Sequence, residues 1–444
     1  MTRRLLFLTP QVPYPPHQGT TIRNYNLITN LASNYEVHLL CFQHPSDNPP
    51  GNSPLPRFCP VVESVPAPIR STAQRAVTTL LSQSPDMALR LSSSLFQARL
   101  GMLAEQYRYD VIQIEGIEMA PYALWLMNHP LWHSAQAKEN RPNIPIGRPR
   151  LVFDDHNAEY VLQQRAAETD VRKPRRWHGA LYSYIQWNKL RRYERQVCQR
   201  VDRVIAVSNA DRDALLALDP TMEITVVPNG VDLTYYATYN PEKDTQRPDY
   251  GPNALVFTGK MDFRPNIDAV TWFVGEVFPL VLQQVPDAHF AIVGKEPHSR
   301  VLDLAQHPSV TVTGWVEDIR SHIAAASVYV VPLRIGGGTR LKVLEALAMR
   351  SAMVSTHLGC EGFPLKETGI VSFGDDAASF SQEVVALLRD PERRKQMGDA
   401  GHVFVENSYG WEAIVPRLTA VYQELGINGQ ERVDNGSPYA PATA

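Results

Sequence analysis

The feature that most constrains this chain is an alternation of short apolar runs with helical segments, which occurs twice. Runs rich in β-branched residues or leucine and bounded by turn residues are typical of buried strands, and their alternation with helices favours a doubly wound parallel sheet. Six runs lie in the first half, and five follow a polar segment at 239–253. The runs are RLLFLT (4–9), YEVHLLCF (35–42), YDVIQIEG (109–116), RLVFDDH (150–156), DRVIAVS (202–208), ITVVPNG (224–230), ALVFTG (254–259), HFAIVG (289–294), VTVTG (310–314), VYVVPL (328–333) and AMVST (352–356).

Length and spacing together predict two α/β domains, each of the Rossmann-like kind. A chain of 444 residues is too long for one ordinary core. The polar segment at 239–253 is interpreted as the linker, which gives an N-terminal domain at 1–240 and a C-terminal domain at 250–410. We expect a last helix at about 411–425 to pack back on the first domain and a disordered tail at 428–444, because that tail has little apolar content.

Composition excludes several classes of protein. A hydrophobic fraction of 44%, a charged fraction of 20% and a net charge of -3 are those of a globular protein with no global attraction to nucleic acid. The cysteines stand far apart without a CxxC pair, so neither a disulfide framework nor a zinc site is predicted, which suits a reducing cytosol. The cysteines are Cys41, Cys59, Cys198 and Cys360.

The N-terminus is superficially similar to a signal peptide, because two arginines precede a short apolar run. That run ends at Pro10 without a cleavage site, so a first buried strand is the better interpretation. No stretch approaches the ~18 apolar residues of a membrane-spanning helix. We therefore expect a cytoplasmic protein, at most peripheral on the inner face of a membrane.

The most specific site signal is the stretch RIGGGTRLKVLEAL at 334–347. Its glycines permit close backbone approach, and Thr339 is predicted to cap the following helix, whose free amides then face an anion. Lys342 suits a phosphate, and Arg340 suits either a phosphate or an outward ion pair. Glu345 can accept two hydrogen bonds from a ribose. The stretch is neither a Walker loop nor a GxGxxG fingerprint, and a glycine-rich turn with charged flanks is an equally good interpretation of it alone.

Two strand ends of the first half carry further candidates. Gly19 precedes a helix, where free amides can approach an anion or a sugar, although a simple turn explains it as well. His156 follows a buried strand, with Asp154, Asp155 and Glu159 nearby. One histidine among acids is weak support for a metal site, so a hydroxyl-binding histidine or a capping acid is favoured.

Two strand ends of the second half complete the candidates. Lys260 and Arg264 directly follow a predicted strand, where cations complement phosphates, and a solvated loop is the alternative. Gly314 and Trp315 end another strand, where the main chain can bind a base edge. The alternative there is that Trp315 covers the core.

In chain order, these pieces resemble the retaining glycosyltransferases of family 4, which have the two-domain GT-B fold. The resemblance covers residues from about 4 to 425 and is closest to bacterial sugar transferases of exopolysaccharide and cell-envelope synthesis. It is carried by PYPPHQG, DDHNAEY, VSNADRDALL, VVPNGVD, VFTGKMDFRPNIDAV, AIVGKEP, VTVTGWVEDI and GGGTRLKVLEALAM.

The resemblance implies a nucleotide-diphospho-sugar donor, of UDP or GDP type, bound mainly by the C-terminal half. A glycan, lipid-linked or other hydroxyl acceptor is bound mainly by the N-terminal half, and the anomeric configuration is retained. The leaving diphosphate takes the acceptor proton while Lys260, Lys342 and helix amides stabilise its charge. No cofactor is implied, and no metal, since no Asp-x-Asp motif stands at a suitable strand end.

Roles carry over position by position. Glu345 matches the family acid that binds the ribose, and Lys260 falls where the family has a cation on the diphosphate. Lys342 lies in the segment near that diphosphate. His156 falls near the histidine that contacts the donor sugar, and Gly19 matches the glycine loop beside the acceptor.

The sequence departs from the family at Gly337, where the first acid of the usual Glu-x7-Glu would stand. That acid contacts the donor sugar, so its loss puts the sugar preference in doubt more than the fold. Glycine amides and added cations are the expected replacement. Arg264 stands in for the second usual cation. The further donor-binding assignments are Gly314, Trp315, Gly337, Gly338, Thr339 and Arg340.

A basic and aromatic segment at 171–195 suits an anionic membrane surface or a lipid-linked acceptor. A solvated helix that packs its aromatic side chains inward explains the composition equally well. The residues concerned are Arg172, Lys173, Arg175, Arg176, Lys189, Arg191, Arg192, Trp177, Tyr182, Tyr184 and Trp187.

Three other functions are weighed against sugar transfer. A sugar-nucleotide epimerase of the same architecture would convert the donor with no acceptor present. A non-catalytic nucleotide-sugar-binding protein would bind the nucleotide without turnover. A dinucleotide dehydrogenase is disfavoured, because the fingerprint is missing.

Overall fold

The structure is a computed structural model that describes residues 2–129, 148–171 and 177–430. The chain folds into two compact units. The first comprises Met1–Val207, Asp211–Val227 and Val415–Ala444, and the second comprises Ser208–Ala210 and Pro228–Ile414.

The first unit is built on a parallel sheet of seven strands in the order β3-β2-β1-β4-β5-β6-β7. Strands β4 and β5 pair in register with Glu115 opposite Asp154, so both strands deliver polar residues to the carboxyl edge of the sheet. The strands are β1 (Arg4–Thr9), β2 (Glu36–Gln43), β3 (Val61–Pro66), β4 (Val111–Glu115), β5 (Arg150–Asp155), β6 (Arg203–Ala206) and β7 (Ile224–Val226).

Helices cover the sheet of the first unit. They are α1 (Gly19–Leu31), α2 (Leu55–Phe58), α3 (Thr72–Leu81), α4 (Asp86–Leu89), α5 (Ser94–Gln106), α6 (Ala120–Asn128), α7 (Glu159–Val171), α8 (Trp177–Cys198) and α9 (Asn209–Leu216), with a short 3-10 turn at Pro50–Asn52. The core is aliphatic and aromatic, and Leu6, Leu8, Phe42 and Phe153 are fully buried in it.

The second unit is built on a parallel sheet of six strands in the order β10-β9-β8-β11-β12-β13. Its strands are β8 (Ala254–Thr258), β9 (His289–Val293), β10 (Val310–Gly314), β11 (Val328–Val331), β12 (Met353–Ser355) and β13 (Val371–Phe373). Its helices are α10 (Leu233–Ala237), α11 (Arg264–Trp272), α12 (Phe278–Leu282), α13 (Ser299–Leu302), α14 (Ile319–Ala324), α15 (Leu341–Ala348), α16 (Ala377–Arg389) and α17 (Pro391–Tyr409), with a π-helical turn at Phe273–Val277 and 3-10 turns at Asp303–Gln306 and Leu358–Cys360. The predicted α/β fold with two Rossmann-like units is confirmed.

The boundary between the units differs from the predicted one. The first unit ends at Val227 rather than near residue 240, because the segment after Val227 packs within the second unit. The amide of Val231 donates to the carbonyl of Tyr409 at 2.9 Å, and a side chain at Gly230 would collide with Trp411. The polar segment at 239–253 therefore lies inside the second unit.

The last helix, α18 (Trp411–Glu424), belongs to the first unit from Val415 onward. Tyr422 on this helix is fully buried, and its hydroxyl donates to Gln113 at 3.1 Å. The tail predicted to be disordered lies outside the described residues from 431 onward. Within the described ranges, no helix has both the length and the apolarity needed to cross a bilayer.

Candidate functional site

The glycine-rich loop follows β11 and leads into α15, on the second unit. Gly336 and Gly338 have φ angles of 105° and 79°, in the left-handed region that favours glycine. Gly337 between them has no such φ angle. The loop therefore depends on glycine at its first and third positions, and it brings backbone to the start of an amphipathic helix.

Lys342 lies in the first turn of α15, against the end of β8. Its ammonium donates to the side-chain oxygen of Asn266 at 3.0 Å and lies 3.8 Å from the ring centroid of Phe257. A Cβ at Gly259 would stand 2.8 Å from this nitrogen, so only glycine leaves room for the lysine. The ends of β8, α11 and α15 thus converge on one cation.

The charge of Lys342 is held in an unusual environment. Burial lowers its pKa to about 7, nearby Arg340 adds repulsion, and Glu345 opposes both effects. Burial also raises the pKa of Glu345, although Lys342 and a hydrogen bond from Tyr236 act in the other direction. Lys342 is desolvated and its hydrogen-bond partner, Asn266, is neutral, so the ammonium is well suited to receive an anion.

Arg340 and Thr339 are arranged differently from the prediction. The helix is capped at Arg340, without a side-chain cap, so the prediction that Thr339 caps it is wrong. The guanidinium of Arg340 folds back and donates to the carbonyl of Gly337. The hydroxyl oxygen of Thr339 is buried and has no hydrogen-bond partner among the described residues.

Lys260 is paired with two acids of the second unit. Its half-exposed ammonium pairs with Asp262 at 3.1 Å and with Glu296 at 2.8 Å. The hydrogen bonds to Glu296 and Asp262 raise its pKa. Its backbone carbonyl accepts from Asn266 at 2.8 Å, so Lys260 and Lys342 are linked through that asparagine. Contact of Lys260 with a diphosphate remains a prediction.

The other candidates of the second unit lie at strand and helix ends. Arg264 is the first residue of α11. Gly314 ends β10 with a φ of 71°, and no atom stands within 4 Å of the place where its Cβ would be. Trp315 is 72% exposed, which excludes the alternative that it covers the core.

On the first unit, His156 belongs to a buried network of charges. Its Nε2 lies 2.8 Å from Glu115, and Arg23 binds Asp154 at 3.0 and 2.6 Å. Burial alone would lower the pKa of His156, but the hydrogen bond to Glu115 and the charge of Asp154 raise it overall. Gly19 begins α1, the helix that carries Arg23. The network therefore connects the glycine-loop helix to the histidine.

Glu115, Asp154 and His156 offer ligand atoms within 4.8 Å of one another, a spacing that a metal ion could use. Arg23 already neutralises Asp154 through two hydrogen bonds, and His156 is bonded to Glu115. A second cation would compete with both, so the donor set fits a charge network better than a metal. That the protein works without metal remains a prediction.

Acids near His156 accept hydrogen bonds from amides at the start of α7. Glu194 accepts hydrogen bonds from the amides of Glu159 at 2.6 Å and Tyr160 at 3.0 Å, and Asp211 accepts from Ala158 at 3.1 Å. The capping acids therefore come from other helices. Burial raises the pKa of Glu159 to about 7. Burial also raises the pKa of Asp155, whose carboxylate oxygens have no partner among the described residues.

The sequence did not single out Asn266, Tyr236, Arg23 or Glu115. Glu115 could have been found, because it ends a predicted strand beside the strand of His156. For Asn266, the sequence indicated only that it is part of a helix start. Its contact with Lys342 joins residues 76 positions apart, which no local pattern reveals.

Comparison with known proteins assigns both units. Residues 18–235 match the family model described as "Glycosyltransferase Family 4", and residues 252–390 match "Glycosyl transferases group 1". The chain belongs to glycosyltransferase family 4. The family prediction is thereby confirmed, and the two matches together cover every strand of the two sheets except β1.

Curated relatives of this family 4 member include mycobacterial and corynebacterial enzymes. A GDP-mannose-dependent monoacylated α-(1-6)-phosphatidylinositol monomannoside mannosyltransferase of Corynebacterium glutamicum is 28% identical over 46% of this chain. The match spans 56% of that relative's length. A GDP-mannose-dependent α-(1-6)-phosphatidylinositol monomannoside mannosyltransferase of Mycolicibacterium smegmatis is 27% identical over 62% of this chain and 79% of its own.

Solved structures share the fold of the family 4 chain. Sucrose-phosphate synthase from Thermosynechococcus elongatus has a TM-score of 0.68 at 16% identity, with 96% of this chain and 99% of that chain covered. Anabaena HepE in complex with UDP has a TM-score of 0.64 at 13% identity, with 95% and 100% covered. At these identities the likeness shows the GT-B fold alone.

Proposed function

We propose that the protein is a retaining glycosyltransferase that moves a sugar from a nucleotide-diphospho-sugar to a hydroxyl group. The observation that carries the proposal is the desolvated Lys342 behind a glycine-rich loop, with Glu345 one turn further along the same helix. In a member of a glycosyltransferase family, this pair fits the diphosphate and ribose of a donor.

The chemistry follows from these side chains. The diphosphate adds negative charge beside Lys342, and the loop amides add hydrogen bonds. Glu345 accepts from the ribose hydroxyls. As the bond to the sugar breaks, charge builds on the leaving diphosphate, and Lys342 stabilises it there. The diphosphate then takes the acceptor proton, so no protein nucleophile is required.

The donor is proposed to be of GDP or UDP type. The names of the mannosyltransferase relatives support GDP-mannose as the first sugar nucleotide to test. UDP is the nucleotide in the HepE complex, so UDP-sugars come next. The glycine at position 337, where the family has an acid, leaves the sugar itself open.

The acceptor is proposed to be a glycan or a lipid-linked molecule of cell-envelope or exopolysaccharide synthesis, reached from the cytoplasm. The phosphatidylinositol mannosides in the relatives' names support a lipid-linked acceptor. A metal ion is not required in this proposal, and chelation should leave the activity in place.

Thermal unfolding in the presence of GDP-, UDP- and ADP-sugars tests the donor. A ligand at 100 times its dissociation constant should add about 2.7 kcal/mol to the free energy of unfolding, which raises the melting temperature. Glu345→Ala and Lys342→Met should lose most of this stabilisation. Lys366→Met, which changes an exposed lysine of the same unit, is the matched control and should keep it.

Four results would contradict the proposal. The first is that no sugar nucleotide stabilises the protein, and the second is that the two site variants respond as the control does. Tight binding without any release of nucleoside diphosphate would indicate the non-catalytic alternative. Conversion of the donor sugar with no acceptor present would indicate an epimerase.

A further inference from the structure

Large apolar side chains are exposed mainly in one region of the first unit. Leu80 and Leu81 at the end of α3 are 76% and 82% exposed, and Val77 is 54% exposed. On α8, Trp177 and Leu181 are exposed to a similar extent. Contiguous exposed apolar surface is uncommon on a protein surrounded by water and indicates an interaction site.

Helix α3 is oriented with its polar face inward. Lys189 on α8 donates to the carbonyls of Thr79 at 2.7 Å and Ser82 at 2.6 Å, which fixes the end of α3. Arg75 on α3 binds Asp86 at 2.8 Å, and Asp86 is buried. A helix facing water would have the reverse arrangement, with its apolar face inward. The outward leucines are therefore held in place by polar contacts beneath them.

Helix α8 adds a second apolar surface and a charge gradient. A groove of about 680 Å3 runs between α7 and α8, and its lining includes the acid Glu168 beside Val171, Trp177, Leu181, Tyr184 and Trp187. The aromatic side chains of Trp177 and Tyr184 are 62% and 54% exposed, so the predicted alternative, in which the aromatics pack inward, does not hold for them.

The other end of α8 is basic. Arg191, Arg192 and Arg195 are exposed, and the acid beside them, Glu194, is buried. Among the described side chains of α8, every exposed charged group is therefore positive. The basic residues at 172–176 of the predicted patch lie outside the described residues.

We propose that the exposed faces of α3 and α8 dock on a lipid bilayer that contains anionic lipid. The leucines and aromatic side chains enter the boundary between headgroups and acyl chains, and the arginines of α8 pair with lipid phosphates. The charge selects this partner over a second copy of the chain, because two basic surfaces would repel each other.

This surface deepens the proposed function, because it puts the enzyme where a lipid-linked acceptor is found. Only the link between docking and a lipid-linked acceptor rests on the proposed function. Docking itself follows from the exposed side chains and is tested without any sugar nucleotide.

Co-flotation with vesicles tests the proposal. The wild-type protein should float with vesicles of phosphatidylglycerol and phosphatidylcholine and bind much more weakly to phosphatidylcholine alone. The double variant Leu80→Glu/Leu81→Glu should bind the anionic vesicles at least about tenfold more weakly, because two leucines that enter the lipid on docking are lost. Arg191→Glu/Arg192→Glu should weaken the binding as well, and more so at low salt.

The matched control is Leu302→Glu/Val403→Glu, which changes two exposed apolar residues of the second unit, 51% and 50% exposed. It should bind as the wild type does. Wild-type protein that stays with the soluble fraction would overturn the proposal. An equal loss of vesicle binding in Leu80→Glu/Leu81→Glu and in the control variant would overturn it as well. A dimer in solution that Leu80→Glu/Leu81→Glu dissociates, without vesicle binding, would identify a second copy as the partner instead.

The failure of docking and the failure of the proposed function are distinguishable. Stabilisation of Leu80→Glu/Leu81→Glu by a sugar nucleotide should equal that of the wild type, since these leucines lie on the other unit from Lys342. If the protein binds vesicles but no sugar nucleotide, the docking proposal stands and the proposed function is wrong.

Discussion

At the scale of single residues, the least ordinary group is the ammonium of Lys342. It lies between an amide oxygen and an aromatic ring, with Arg340 repelling it and Glu345 the carboxylate that favours its charge. A diphosphate would add two negative charges at this point. The protonation of Lys342 should therefore change when a donor binds.

Binding of a sugar nucleotide is predicted to take up protons near pH 8. The pKa of Lys342 is about 7 in the free protein, so at pH 8 the amine is mostly neutral. A bound diphosphate favours the charged form and raises this pKa, so affinity should be highest below pH 7. It should then fall by up to about tenfold per pH unit between the free and bound pKa values. Calorimetry in buffers of different ionisation enthalpy measures the uptake.

Lys342→Arg is the control for this effect, because arginine stays charged throughout this pH range. It should bind with little proton uptake at pH 8. A wild-type protein that takes up no proton, or a variant with the same pH slope, would show that the lysine does not meet the diphosphate.

Residue identity was easier to predict than residue environment. Lys342 and Glu345 stand in one glycine-rich motif, and the structure places them one turn apart on α15. Their neighbours Asn266 and Tyr236 come from distant parts of the chain, and only the folded sheet brings them there. The roles of these side chains toward a donor stay predictions.

At the scale of elements, every central strand and two of the four edge strands, β7 and β10, were predictable. Every apolar run named from the sequence is a strand. The two strands that were missed, β3 and β13, lie at the edges of their sheets. Val61 through Glu63 in β3 are only partly buried, and β13 has three residues. A polar residue interrupts the apolar run in each of them, Glu63 in β3 and Ser372 in β13, whereas the predicted edge strands β7 and β10 are runs of β-branched residues.

The ends of β8 and β9 should tolerate no side chain. A Cβ at Gly294 would stand 1.7 Å from the carbonyl oxygen of Gly259, in the loop beside Lys342. Gly294→Ala should therefore lower the free energy of unfolding by about 1–3 kcal/mol, and more if the strands cannot separate. Chemical denaturation measures the change.

Gly275→Ala is the matched control for the strand-end variant, because nothing lies within 4 Å of its Cβ position. Its stability should stay near that of the wild type. Equal stability of Gly294→Ala and the wild type would contradict the close approach of the two strand ends.

At the scale of the whole molecule, the sequence predicted two α/β units, because the alternation of strands and helices begins again after the polar segment at 239–253. It misplaced the boundary, because a polar composition was taken for a linker. The segment at 239–253 is polar, yet Tyr250 is partly buried against the core of the second unit, and its hydroxyl hydrogen-bonds to His322 at 2.7 Å. Composition reports exposure on average and does not report which unit a segment contacts.

The anomer of the product tests most directly whether this protein transfers a sugar with retention. The sugar nucleotide that stabilises the protein is incubated with it, and the first sugar released or transferred is followed by proton NMR before it can mutarotate. From an α-linked donor, we expect an α-linked product together with free nucleoside diphosphate. A β product, or no release of nucleoside diphosphate from any sugar nucleotide that binds, would contradict this expectation.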